Sequence, residues 1–239
     1  LERRIYGIPW EWYEEYGIQR LGYHGASHSY VAETLTDMYG STGKAISCHL
    51  GGSGSLCAID DGKSVDTSFG ISLQVGVIQS NRCGDIDPSV VTYMEQKLGF
   101  HGQEMADYLN KKSGLLGISG VSCDDRDVSA AVESGNARAK LAWDMRTYEI
   151  VKYIGGYVAA LGGVDAIVFT AGIGENQSIL RGEILGALSC FGVEVDPVNN
   201  ATRGKEIEIT TPASKVRAFV IPTNEELVIA RDTKEIVEK

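Results

Sequence analysis

The sequence is poor in the features that mark several large classes of protein. Of its 239 residues five are proline and five are cysteine. The cysteines (Cys48, Cys57, Cys83, Cys123 and Cys190) are odd in number, scattered, and never spaced as C-x-x-C. That pattern argues against a disulfide-stapled secreted module and predicts free thiols in a reducing, cytoplasmic setting. Basic residues are outnumbered: 22 Lys and Arg face 32 Asp and Glu, for a formal net charge of −10 at pH 7. A non-specific nucleic-acid binder is therefore not expected, because phosphate-backbone affinity comes from clustered Lys and Arg. A small phosphorylated ligand remains open, since a few local cations and backbone amides can meet its charge. No run approaches the roughly 20 apolar residues that span a bilayer, so no membrane partner is expected. Leu1-Glu2-Arg3-Arg4 leads into aromatic, acidic sequence rather than an apolar signal core. The pattern G-x-x-x-x-G-K-[ST] is missing, and neither Gly52-Ser53-Gly54 nor Gly172-Ile173-Gly174 continues as G-x-G-x-x-G. The second absence argues against a dinucleotide-dependent dehydrogenase.

What remains is a globular composition, 43% hydrophobic and 23% charged, with 29 glycines. The length suits one large domain or two small ones. Glycine clusters separate apolar segments, the pattern of strands and helices joined by tight loops. Spacing predicts a helix over 29–39 opened by Ser27, strands over 45–50 and 55–60 around Gly51-Gly52-Ser53-Gly54, and helices over 89–98 and 103–111. A long helix over 137–161 repeats Leu141, Met145, Tyr148, Val151, Ile154, Val158 and Leu161 at three or four residues, which predicts its buried face. Strands over 166–169 and 216–221, with helices over 178–188 and from 225 onward, complete an α/β reading.

Three glycine-rich loops are candidates for phosphate contact, because glycine lets backbone N–H groups approach an anion closely. They are His49 to Ser55, Thr170 to Asn176, and Gly114 to Gly120, the last leading to Ser122-Cys123-Asp124-Asp125-Arg126-Asp127. Each is also readable as a plain turn. In Asn81-Arg82-Cys83-Gly84-Asp85-Ile86-Asp87-Pro88, Arg82 either pairs with Asp85 or Asp87 in a surface turn or aims its planar fork at a phosphoryl group. His24 and His28 stand four apart in His24-Gly25-Ala26-Ser27-His28, but without the Glu of H-E-x-x-H and with Gly25 between them. That suits a hydrogen-bonding histidine at a site edge, or a helix-start contact, better than a zinc pair. Thr223-Asn224-Glu225-Glu226 reads either as a helix cap or as a source of a Mg²⁺-binding carboxylate.

In this order the segments resemble the acetate kinase family of carboxylate kinases, related to the sugar kinase, Hsp70 and actin superfamily. The likeness runs from Tyr23-His24-Gly25-Ala26-Ser27-His28 (family pattern HGTSH) through Cys48-His49-Leu50-Gly51 (HLGNG) and Ser64-Val65-Asp66-Thr67-Ser68. It continues through Arg82 to Pro88, Gly172-Ile173-Gly174-Glu175-Asn176 and Ile221-Pro222-Thr223-Asn224-Glu225-Glu226. The resemblance implies a ribonuclease H-like α/β domain over 1–224 and a terminal helix over 225–239. It implies ATP + acetate ⇌ ADP + acetyl phosphate by direct in-line transfer, with Mg²⁺ or Mn²⁺ and a homodimer formed through this lobe. Propionate or butyrate as acceptor is the alternative, and a non-catalytic nucleotide-binding and dimerisation module is the alternative for the chain by itself.

By the same resemblance, His24 and Arg82 stabilise the transferring phosphoryl group. His49, Leu50, Gly51, Gly52, Ser53, Asp124, Asp125, Arg126, Gly172, Ile173, Gly174, Glu175 and Asn176 form the nucleotide site, and Glu225 helps hold the metal. Such chemistry needs positioning and electrostatic stabilisation more than covalent catalysis. Three departures stand out. Gly52-Ser53 replaces Asn-Gly, Gln79-Ser80-Asn81 stands where Met-Gly-Thr is common, and Ala26 replaces the first Thr of the histidine pattern. The chain starts at Leu1, and the family's N-terminal lobe, with its metal-binding Asn, acceptor-binding Arg and catalytic Asp, is not in the sequence. A piece of a longer protein is therefore expected, whose final helix returns to the missing lobe.

Overall fold

A computed structural model describes residues 1–238. In chain order its elements are α1 (Trp10–Tyr16), α2 (Gly25–Tyr39), β1 (Lys44–Leu50), β2 (Gly54–Asp60) and β3 (Lys63–Thr67). Next come α3 (Pro88–Leu98), α4 (Gln103–Lys111), α5 (Gly114–Ser119), α6 (Asp125–Glu133), α7 (Ala137–Leu161) and β4 (Ala166–Thr170). Then follow α8 (Ala171–Asn176), α9 (Ser178–Ala187), α10 (Pro197–Asn200), β5 (Ile207–Glu208), β6 (Arg217–Val220) and α11 (Glu225–Val237). Residue 239 of the terminal helix expected over 225–239 lies outside the described residues. No helix among the described residues is long and apolar enough to cross a membrane.

The sheet order is β3-β2-β1-β4-β6-β5. β2 runs antiparallel to β1 and β3, whereas β1, β4 and β6 are mutually parallel. This is the ribonuclease H-like arrangement, a mixed sheet flanked by helices. Every residue of β4 is buried, as in a strand covered on both faces. Successive side chains of a strand point to opposite faces. On one face Ile46, Cys48 and Leu50 of β1 join Ile150, Ile154 and Leu161 of α7. On the other, Ala45 of β1 and Cys57 and Ile59 of β2 join Val31 and Leu35 of α2. Burying a Leu or Ile side chain in such a core contributes about 1.5–3 kcal/mol.

Three expectations fail for packing reasons. The helix over 25–39 starts at His24 in its cap position, not at Ser27, which lies fully buried one turn inside. The helix α7 buries Ala142, Trp143, Arg146, Ile150, Ile154 and Tyr157 and leaves Leu141 and Tyr148 exposed, at 52% and 68%. Of the expected face Ile154 and Leu161 are buried and Val151 and Val158 pack partly buried against the core; toward the N-terminal end the core takes the stripe that starts at Trp143 instead. Residues 114–119 form the short helix α5 instead of a phosphate loop. Gly114 has φ +62°, and a Cβ there would collide with the carbonyls of Gln79 and Arg82. Its glycine serves close packing beneath the Arg82 segment.

Candidate active site

The carboxyl ends of the parallel strands β1 and β4 deliver the predicted loops to one end of the sheet, where ligands of open α/β sheets bind. A cleft of about 830 Å³ opens there. Of the residues expected at the nucleotide, Gly51, Gly52, Ser53, Asp124, Asp125, Arg126, Gly172, Ile173 and Asn176 line it, together with Arg82. Leu50 does not: its side chain is buried in the core against α7. Gly174 of α8 is buried against the backbone of Phe169 and Cys48, where a Cβ would make ordinary contact. Glu175 turns away and accepts from the Thr223 N–H at 3.2 Å. Ser80, Asn81, Cys123, Gln177 and Arg203 also line the cleft. Sequence reasoning did not name these five among the residues of the site. Ser80, Asn81 and Cys123 flank recognised motif residues, and adjacency was the available signal.

Arg82 has no carboxylate partner among the described residues. Asp85 accepts from the Gly76 N–H and the Tyr153 hydroxyl, and Asp87 caps α3 through the Ser89 N–H. The surface-turn reading of Arg82 is thereby set aside. Its Nη1 donates instead to Ser53 Oγ at 2.8 Å and to Gln79 Oε1 at 3.1 Å. Gln79 Oε1 also accepts from Ser53 Oγ and from the buried Gly54 N–H. The departures at 53 and 79 therefore form one hydrogen-bonded unit that holds the guanidinium at the cleft.

Asp124 caps α6 through the Arg126 N–H and accepts from the Arg126 guanidinium, which together hold its carboxyl down at about 2. This exposed pair sits at the cleft rim. Asp125 is different in kind. It is buried, paired with Arg146 of α7, and accepts from Gln177 Nε2 at 2.9 Å. Its carboxylate ties α6 to α7 and to the start of α9 within the cleft wall.

Beside the cleft lies a cluster of three imidazoles. His24 has φ +61°, a left-handed conformation that costs a side-chain-bearing residue energy and is found disproportionately at functional sites. Its ring stacks on His49 with centroids 3.8 Å apart. His24 Nδ1 and His28 Nε2 each lie 2.9 Å from Ser55 Oγ, and His28 Nδ1 lies 2.9 Å from Ser47 Oγ. His49 Nδ1 lies 2.8 Å from Ser27 Oγ, which accepts from the Thr223 hydroxyl. Burial, and then the Arg82 charge, holds His24 down at about 4. Burial first, with neighbouring imidazoles second, holds His28 and His49 at about 3. All three rings are neutral near pH 7.

Asn224 caps α11 by accepting from the Leu227 N–H. Glu225, the next residue, has no hydrogen-bond or ion-pair partner among the described residues. No group of three or more metal-ligating side chains occurs among them. A single free carboxylate fits Mg²⁺ or Mn²⁺ completed by phosphate oxygens and water, and does not fit an all-protein cage.

A family model, the Acetokinase family, matches residues 2–231. The acetate kinase of Clostridium botulinum (strain Kyoto / Type A2) is 52% identical over 238 residues, covering 98% of this chain and 60% of that protein. The crystal structure of Porphyromonas gingivalis acetate kinase superposes with a TM-score of 0.95 at 40% identity, over 99% of this chain and 60% of that one. A propionate kinase structure from Francisella tularensis gives 0.91 at 38% identity, over 97% and 59%. The chain thus spans about 60% of the length of the curated relatives it matches. On the family match over most of its residues, the chain belongs to the Acetokinase family.

Proposed function

We propose that this chain is the nucleotide-binding lobe of an acetate kinase, acting with an N-terminal lobe in ATP + acetate ⇌ ADP + acetyl phosphate. The observation that carries the reading is Arg82, a guanidinium without a carboxylate partner among the described residues, held by Ser53 and Gln79 at the glycine-lined cleft. In this reaction a carboxylate oxygen of acetate attacks the γ-phosphorus. The bond to the β–γ bridging oxygen breaks, and ADP departs with that electron pair. Charge spreads over the equatorial oxygens of the transferring group, where fixed donors are most effective. Arg82 offers a planar fork to two of these oxygens. His24, neutral, offers an N–H without adding a charge that Arg82 would repel. The backbone of Gly51, Gly52 and Gly172 lets phosphate approach closely, and Asn176, Asp124 and Arg126 border the nucleotide. Glu225 would hold Mg²⁺ or Mn²⁺, which when bound neutralises the β- and γ-phosphate oxygens. Five unpaired cysteines accord with a cytoplasmic enzyme.

The propionate kinase neighbour supports a second reading, with propionate as acceptor. Comparing kcat/KM for acetate, propionate and butyrate in the two-lobed enzyme decides between them. The main test is acetyl phosphate formation by this chain with and without an added N-terminal lobe. Activity that appears only on addition supports the proposal. In the active pair Arg82→Ala should lower kcat roughly 10²–10³-fold, as loss of one transition-state donor does. Near-normal turnover of that variant would exclude the role given to Arg82.

A further inference from the structure

We propose that Ser47, His28 and Ser55 are positioning residues, a directional relay that locks His24 in the tautomer carrying its proton on Nε2. The inference rests on the proposed role of His24 as a donor to the transferring phosphoryl group. It follows from where strand alternation puts hydroxyls. Ser47 of β1 and Ser55 of β2 lie on the α2 side of the sheet, and His24 and His28 stand one turn apart at the start of α2. Ser47 and Ser55 are fully buried.

A buried hydroxyl hydrogen needs an acceptor. Ser47 has one partner, His28 Nδ1, so its proton goes there. A neutral His28 then carries its own proton on Nε2 and donates to Ser55 Oγ. With that oxygen accepting from His28, the Ser55 proton is directed to its other neighbour, His24 Nδ1. His24, also neutral, is left with an N–H at Nε2, which has no partner among the described residues. In the reverse direction His28 Nδ1 would carry a proton and the Ser47 hydrogen would be buried without an acceptor. A doubly protonated His24 is opposed by burial and by the charge of Arg82. The relay thus makes a donor of an imidazole that stays uncharged beside Arg82. An isolated neutral histidine ring favours this tautomer only severalfold, and the relay makes the choice one-sided.

The test is the tautomeric state read from long-range ¹H–¹⁵N correlations of the 239-residue chain, in which only four histidines need assignment. His24 and His28 should both appear as the Nε2–H tautomer from pH 8 down to pH 5. A proton on Nδ1 of either ring, or an imidazolium in that range, overturns the relay. Ser47→Ala should leave His28 and His24 as tautomer mixtures, and Ser47→Thr should restore single states. Unchanged tautomers in Ser47→Ala also overturn it. If Ser47→Ala does not fold, the wild-type spectrum still decides. In the two-lobed enzyme Ser55→Ala should lower kcat roughly tenfold or more, a fraction of the loss of a whole donor. KM for ATP should barely move, and Ser55→Thr should recover most of the rate. Correct tautomers with unchanged kcat in Ser55→Ala would overturn the donor role of His24. A wrong tautomer with kcat lowered would overturn only the relay.

Discussion

Gln79→Met with Ser53→Gly restores, at two positions, what the family pattern carries. Gln79 is buried, and its Oε1 accepts from Ser53 Oγ at 3.0 Å, Gly54 N at 3.3 Å and Arg82 Nη1 at 3.1 Å, while Nε2 donates to the Leu73 carbonyl. One oxygen with two lone pairs serves three donors, so each bond is weaker than an unshared one. Methionine keeps the length of the side chain and removes all four contacts. The buried Gly54 N–H is left unpaired, at about 1–3 kcal/mol, and the remaining contacts add about 1 kcal/mol net. Gln79→Met should therefore destabilise by about 2–4 kcal/mol. Ser53 is half-buried and its hydroxyl stays near water, so Ser53→Gly should cost about 1 kcal/mol or less. The informative quantity is the pair. Without Gln79 the Ser53 hydroxyl retains only Arg82, so Ser53→Gly should cost less in that background. The coupling should fall between about 0.5 and 1.5 kcal/mol. Urea midpoints of the four proteins, at constant m-value, measure it. The same cycle in kcat of the two-lobed enzyme should show the double variant less impaired than Gln79→Met. Strict additivity in both readouts would refute the claim that 53 and 79 act as one unit on Arg82.

Other outcomes are open to direct measurement. Gly52 does not adopt the left-handed conformation, and a Cβ there would meet only Ser80 Oγ at 3.7 Å; Gly52→Asn should tighten ADP by about 0.5–1.5 kcal/mol in calorimetry through one added donor. Gly52→Ala should not, and weakening by both variants would show a loop built around glycine. The exposed Leu141, Met145 and Tyr148 stripe of α7 should support a homodimer, seen by light scattering at tens of micromolar and lost in Leu141→Lys; a wild-type monomer would count against it. Stability should fall on acidification, because His28 and His49 stay neutral to about pH 3 and His24 to about pH 4, while the unfolded chain takes up protons from about pH 6.5. Each contributes a loss of about 1.4 kcal/mol per pH unit below that point. Glu149, raised by burial to about 7, binds its proton in the folded state and offsets part of this. The net loss from pH 7 to pH 5 should be on the order of 3–4 kcal/mol, and a flat or rising urea midpoint would contradict it.

The strands and the turn at Gly51 were legible because each side is a short apolar run and the turn is dense in glycine. The same cue misled at Gly114, where a left-handed glycine packs α5 under the Arg82 segment. Helical periodicity found α7 and the C-terminal half of its inward face, at Ile154 and Leu161, but not the N-terminal half. Leu141, Met145 and Tyr148 are as well spaced as Trp143, Ile150, Ile154 and Tyr157, and only the shape of the sheet decides between them. Tyr157 is buried and Tyr153 donates to Asp85, uses within the fold that spacing does not reveal. Asp125 was legible as an acid near the nucleotide but not as half of a buried ion pair, because Arg146 lies on a different helix. Gln177 adjoins Asn176 of a recognised motif, whereas Arg203 reaches the cleft from a segment with no local signature.

The histidine cluster shows how a fold of this size gives its site both rigidity and chemistry with the same strands. Along β1, Ile46, Cys48 and Leu50 supply the α7 core, while the alternate residues Ser47 and His49 face α2. Along β2, Leu56 and Ala58 do the same, and Ser55 faces α2. On α2 the inward stripe starts with His24, Ser27 and His28 and continues with Val31 and Leu35, so its polar first turn meets the polar strand ends and its apolar remainder meets Cys57 and Ile59. A one-residue slip of β1 against β2 would exchange the two sets, putting hydroxyls into the apolar core and isoleucine against imidazole. Register is therefore specified from both faces at once. The hydrogen-bonded face needs Ser47 and Ser55 each 2.9 Å from a ring nitrogen of His28, and the apolar face needs Ile46 and Leu56 toward α7. A side chain that must present one chosen N–H to a reacting group gains most from such support. His24 has that support on its Nδ1 side, through strands whose alternate residues are locked in the core.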